Sequence, residues 1–281
     1  MSSNAASSNP GSSPQADADS KETDLSRAPL LAHLVELRKR LLAVLAFFAA
    51  AFLLAYTFKQ DIYAFLAAPL ANIFGEDANR RMIYTGLHEA FFTYLQLSFF
   101  AAVFATIPLA LNQIWKFIAP GLYKHERRAM RPFFVLTPVL FLMGSALAYY
   151  IVFPLAWRFF SSFESEDIGP GLRVELEARV GEYLALVTKL ILAFGLSFEL
   201  PLLLMLTARM GMLTADDLAR HRKHAVVIVF ALAALITPPD VISQISLGIP
   251  VLILYEASIW LIRWMGIDSL APSAALDKKD Q

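Results

Sequence analysis

The chain has 281 residues, no net charge and no cysteine, and 57% of it is hydrophobic against only 17% charged. Soluble domains run nearer a quarter charged, so this composition excludes an ordinary water-soluble globule and points to an integral membrane protein. The balanced charge gives no footing for nucleic-acid binding, and without Cys there is neither a disulfide nor a thiolate metal site.

Residues 1–28 are rich in Ser, Ala, Asn, Asp and Pro and are expected to form a disordered tail. They do not read as a signal peptide. The first apolar run starts near Leu41, follows Arg38-Lys39-Arg40, and has no small-residue cleavage site after it. Six apolar segments follow in order. They are Leu41–Phe58, Phe91–Trp115 with Pro108 inside, Phe133–Phe153 with Pro138, Tyr183–Leu206 with Glu199 and Pro201, Ala225–Ile236, and Leu247–Ile262 with Pro250 and Glu256. A span needs roughly 20 residues, which the first four supply. The fifth and sixth are short: the fifth covers only about 18 Å at the helical rise. They read either as two short spans in a thinned bilayer or as a re-entrant hairpin around Thr237-Pro238-Pro239-Asp240. Between the first two segments, Ile62, Phe65, Leu66 and Leu70 recur at helical spacing. This predicts a short amphipathic helix on the outer interface.

Lys and Arg set the orientation. Alternate loops carry 17 of them on one side and 6 on the other. The positive-inside bias therefore puts both termini in the cytosol. Trp115, Trp157, Trp260 and Trp264 fall at predicted span ends, as an aromatic belt requires.

Two carboxylates stand among cations on the basic side: Glu36 in His33–Arg40 and Glu126 in Pro120–Arg128, each flanked by Arg or Lys. Positive-inside topology does not call for them. Such a pair suits bidentate capture of guanidinium groups. Local ion pairs with Arg38, Arg40, Arg127 or Arg128 explain them equally well. Glu199 is the outlier within a span, where a carboxylate is a functional candidate by default. It reads as a bundle-holding carboxyl, a docking point for a partner's membrane helix, or a proton carrier. Lys189 reaches the outer surface by snorkelling. Gln244 is placed to hydrogen-bond across helices, Asp240 to cap the sixth segment, and Glu256 has no assignable role. No His-Glu-x-x-His, phosphate-binding loop or Gly-x-Ser-x-Gly occurs, so neither a catalytic centre, a metal site nor a cofactor is expected. A proton- or ion-coupled transporter or channel built on Glu199 stays open as the alternative function.

Several longer motifs carry a resemblance. They are His33-Leu-Val-Glu-Leu-Arg-Lys-Arg40, Ala68-Pro-Leu70, Phe117–Arg128, Phe153-Pro-Leu155, Ala193–Pro201 and Leu235–Gln244. Together they resemble TatC, the multispanning subunit of the bacterial twin-arginine (Sec-independent) protein translocase. The resemblance implies an all-α polytopic protein with six transmembrane helices, both termini cytosolic, in a concave bundle with short fifth and sixth helices. It resolves the hairpin question in favour of short spans. It implies a membrane domain over 29–264 between the tail 1–28 and a cytosolic tail 265–281. It implies a receptor in the bacterial inner membrane that binds folded cargo bearing Arg-Arg signal peptides and draws on the proton-motive force. By the same resemblance Glu36 and Glu126, with Arg38 and Lys124 beside them, recognise the signal peptide. Glu199 and Gln244 dock single-span partners of TatA and TatB type within an oligomeric complex, and Pro69 and Asp240 serve assembly.

Overall fold

The computed structural model describes residues 14–74, 82–118, 131–163, 177–236 and 241–266. These residues form helices α1 (Pro14–Thr57), α2 (Lys59–Phe74), α3 (Glu89–Ile118), α4 (Arg131–Leu147), α5 (Phe153–Ser161), α6 (Val180–Ser197), α7 (Leu200–Arg209), α8 (Ala215–Arg220), α9 (Arg222–Ile236) and α10 (Val241–Trp264). No strand occurs among them; a single parallel bridge pairs Ile83 with Arg179. Two compact units are present, Met1–Ala46 and Phe47–Gln281.

Five helical stretches are long and apolar enough to cross a membrane: His33–Thr57, Glu89–Phe117, Val135–Ser161, Val180–Arg209 and Ser243–Trp264. The 15 residues of α9 reach about 22 Å, short of a core of about 30 Å, as its sequence predicts. The short sixth helix is a correction. α10 runs for 24 residues because residues 241–246 at one end and Arg263 and Trp264 at the other join the helix, and Pro250 does not end it. Helical backbone also reaches back to Pro14, so residues 14–28, assigned by composition to a disordered tail, are helical. Their Ala, Gln, Lys and Glu favour helix even without an apolar face.

Prolines shape the long spans. In the third, a π-helical turn at Ala148–Val152 separates α4 from α5, with Pro154 just beyond it. The wider turn accommodates a ring that clashes with a regular helix. In the fourth, Phe198 and Glu199 interrupt the helix ahead of Pro201. These breaks are tolerable in a membrane only where neighbouring groups satisfy the freed backbone.

The core of the larger unit centres on α4 against α6. Gly144 and Gly195 face each other's helices so closely that a Cβ on Gly144 would stand 2.5 Å from the Phe194 carbonyl oxygen. A Cβ on Gly195 would meet Phe141 and Ser145 at 2.7 Å. Small residues are what permits such helix approach in a bilayer. Phe141, Phe153, Phe194, Leu97 and Val187 fill the space around the contact and are fully buried. A second cluster, Trp115, Leu202, Met205, Leu218 and Ile259, joins α3, α7, α8 and α10.

The predicted amphipathic helix exists as α2, but it does not lie loose on an interface. Leu66, Pro69 and Leu70 are buried and face α3 and α5. Two tyrosine hydroxyls from other spans draw it in, as described below.

On the Lys/Arg-rich side, α8 starts with a reciprocal capping box. The Thr214 hydroxyl accepts from Asp217 N at 3.1 Å, and the Asp217 carboxylate accepts from Thr214 N at 3.0 Å. The Thr214 hydroxyl and backbone N–H hold the Asp217 carboxyl below its ordinary range. A group with its folded pKa depressed contributes stability that is complete at neutral pH and is lost as pH falls through that depressed value. Thr214→Ala is expected to cost the start of α8 about 1 kcal/mol. Hydrogen exchange should show faster exchange of the Asp217–His221 amides at neutral pH, with the α4–α6 core unchanged. Asp217→Asn should produce the same change at neutral pH and add nothing further under acid.

Candidate functional site

In the first unit, Glu36 lies on α1 one turn before Arg40. Its Oε1 accepts from Arg40 Nη2 at 2.5 Å, while its side chain stays 41% exposed. Arg38 is exposed on the same helix. The local ion pair that the sequence left open for Glu36 is therefore formed. It is a half-exposed pair, and such pairs contribute little to stability. Lys124, Glu126 and Asp240 lie outside the described residues.

Glu199 sits at the break in the fourth span and is only 6% exposed. Neither carboxyl oxygen has a hydrogen-bond partner among the described residues. The polar group beside it is Thr137 of α4, itself fully buried. Thr137 Oγ1 accepts from Trp115 Nε1 of α3 at 2.9 Å, which leaves the threonine hydrogen free to turn toward Glu199. Three spans thus meet at one buried carboxyl. Lys189, ten residues earlier, is exposed and takes no part.

Gln244 Nε2 donates to the Phe230 carbonyl at 3.0 Å and ties α10 to α9, the cross-helix role its position suggested. Next to it, the Phe230 ring lies 2.9 Å from where a Cβ of Gly248 would be, so these helices pack at the limit of approach. Glu256 finds the role its sequence did not disclose. Its two oxygens accept from Arg222 Nε at 2.6 Å and Nη2 at 3.0 Å, a bidentate fork between α10 and α9.

Pro69 explains two further contacts. Lacking an N–H, it leaves the Phe65 carbonyl without its helical partner. Tyr149 Oη of the π turn donates to that carbonyl at 2.6 Å, with its ring stacked on Phe65 at 4.5 Å. Tyr183 Oη of α6 donates to the next carbonyl, Leu66, also at 2.6 Å. The proline thus opens α2 to hydroxyls from the third and fourth spans.

Sequence reasoning passed over Thr137, Tyr149, Tyr183 and Glu89, and it assigned Trp115 to an aromatic belt, whereas that ring is buried and its N–H donates to Thr137. Glu89 Oε2 accepts from Thr85 N at 2.6 Å and Gly86 N at 3.1 Å, and the carboxylate reaches the Gly181 backbone at the start of α6. It fastens the beginnings of α3 and α6 together beside the Ile83–Arg179 bridge. The available signal was a proline within a predicted helix, which demands a donor from elsewhere, and hydroxyls within apolar runs.

The chain is similar to four known entities: one family profile, two relatives and one solved structure. The protein-family profile described as "Sec-independent protein translocase protein (TatC)" matches residues 32–250. The Sec-independent protein translocase protein TatC of Magnetococcus marinus is 49% identical over 237 residues, 84% of each chain. That of Escherichia coli K12 is 39% identical, over 84% of this chain and 88% of its own. The fold is similar to the crystal structure "Twin Arginine Translocase Receptor- TatC in DDM", with TM-score 0.70 and 34% identity over 82% of this chain and 99% of that one.

Tyr149→Phe is expected to strand the Phe65 carbonyl and cost about 1–3 kcal/mol. In a Pro69→Ala background, residue 69 regains its N–H and the same change should cost less than about 1 kcal/mol. A double-mutant cycle on the thermal stability of the purified protein measures the coupling. Equal costs in both backgrounds would break the link between proline and tyrosine.

Proposed function

The chain belongs to the TatC family and is a subunit of a Sec-independent protein translocase in the bacterial inner membrane, and from that premise we propose how its residues serve the translocase. It is a receptor with no catalytic centre. Its Lys/Arg-rich face is cytosolic and binds the Arg-Arg signal peptide of folded cargo through Glu36 and Glu126, with Arg38 and Lys124 shaping the surrounding charge. The observation that carries this reading is the Glu36–Arg40 pair. A half-exposed carboxylate already holds a guanidinium at 2.5 Å. An incoming Arg exchanges for Arg40 at little net cost, because an exposed pair is worth little to break. Lys is a poorer substitute because it lacks the planar fork.

Within the membrane, Glu199 and Gln244 dock single-span partners of TatA and TatB type. A buried carboxyl with unpartnered oxygens supports this for Glu199. The amide of Gln244 is partly engaged by Phe230, so a partner there competes with or extends that bond. The proton-motive force powers transport in the assembled complex. The transporter alternative asks this chain to move ions alone, and its family membership favours the translocase.

The test is photo-crosslinking of an Arg-Arg signal peptide to the protein in native membranes. Glu126→Gln, Glu36→Gln, or a Lys-Lys peptide should each lower the yield about tenfold, the worth of one charge-assisted hydrogen bond. Equal labelling in every arm would remove the carboxylate–guanidinium basis of the proposal.

A further inference from the structure

We propose that the junction of α9 and α10 on the Lys/Arg-rich side is a binding site for one anionic phospholipid. The argument starts from a groove of about 600 Å³ along α10, lined by Ile249, Leu252, Ile253, Ala257, Glu256 and Trp260. Ile249 and Ile253 are exposed within it, and Ala257 presents only a methyl group there. The groove is apolar along its length and changes character at one end only. There Glu256 and Trp260 line it, and Arg222 of α9 stands against Glu256.

That end is built to hold a cation in place. Glu256 takes Nε and Nη2 of Arg222, two of the five guanidinium donors, and the Arg222 side chain remains 49% exposed. The remaining donors are aimed by the fork and open to solvent or headgroup. Lys223 and His224 follow directly and are exposed, and the first turn of α9 carries no acid. The frame behind them is fixed. Tyr255 Oη donates to the Leu218 carbonyl at 2.7 Å, and Arg263 pairs with Asp216 at 2.8 Å.

Depth completes the argument. α9 is about one and a half turns shorter than a full span, and its first residue meets α10 at Glu256, eight residues or about 12 Å before the end of α10. The cations of α9 therefore sit deeper than the end of α10. Trp260 and Trp264, 63% and 72% exposed and stacked in parallel at 5.9 Å, mark the interfacial level beside them. A phospholipid joins an apolar tail to a phosphate at this same depth. Its tail fills the groove and its phosphate meets Arg222 and Lys223. Basic pockets between spans at this level are known to hold anionic headgroups.

The experiment is native mass spectrometry of the purified full-length protein, delipidated and titrated with phosphatidylglycerol, phosphatidylcholine or inorganic phosphate. One phosphatidylglycerol should bind at least tenfold more tightly than phosphatidylcholine. Lys223→Gln should reduce that preference. The pair Arg222→Gln with Glu256→Gln, which removes both charges together and leaves neither without its partner, should abolish it. Ala257→Leu should fill the groove and weaken both lipids alike. Equal retention of the two lipids, or displacement of phosphatidylglycerol by inorganic phosphate, would overturn the proposal. So would a photo-crosslinker at Ile253 that captures a protein and no lipid in native membranes, since the groove then belongs to a partner's helix.

Discussion

Every backbone carbonyl in this bundle has to find a donor without water, and the prolines in its spans make that demand acute. The contacts between helices share one form, and at Phe65 one of them supplies the donor that Pro69 lacks. Tyr149 serves Phe65, Tyr183 serves Leu66, Gln244 serves Phe230, Tyr255 serves Leu218 and Ser145 serves Ile191. In each case a side-chain donor from one helix bonds a main-chain acceptor on another. Such bonds depend only on where the acceptor backbone runs and not on its side chain. α2 is the clearest case. A segment that reads as a surface helix becomes part of the core because its proline leaves a carbonyl that a buried tyrosine fills.

The two sides of the protein are held differently. On the Lys/Arg-poor side, Glu89 gathers backbone N–H groups from the starts of two spans, next to the Ile83–Arg179 bridge. On the Lys/Arg-rich side, arginine–carboxylate pairs join α8, α9 and α10. Arginine suits that place because its charge is permanent and its fork fixes direction. Glu199 follows neither pattern. It is buried at a helix break with Thr137 as its polar neighbour among the described residues, and such a carboxyl is expensive unless a further group gives it a partner. The same logic makes the half-exposed Glu36 suitable for exchange: its partner is present but weakly held.

Much of the candidate site was legible in the chain. Glu36 and Glu199 stood out because carboxylates are unexpected in a positive-inside segment and within a span. Gln244 was legible as a polar residue at a helix start. Glu256 was not, because its partner Arg222 lies 34 residues away on another helix. Thr137, Tyr149 and Tyr183 were also missed, and Trp115 was read as a belt residue although it is buried. Aromatic and hydroxyl residues are ordinary in apolar segments, and nothing local separates one that packs from one that donates a decisive hydrogen bond.

Sequence by itself determined the membrane class, the positions of the apolar runs, the charge asymmetry and the family motifs, because hydropathy and Lys/Arg bias are local sums over consecutive residues. It also disclosed the shortness of α9, which is a matter of counting. Only the tertiary structure decided that α10 extends through Ser243 and Gln244, that α2 is buried, that Gly144 and Gly195 meet, and that Arg222 forks onto Glu256. Each of those depends on a group supplied by a different helix. No local pattern encodes which carbonyl a hydroxyl will reach, or which helix will relieve the break a proline makes.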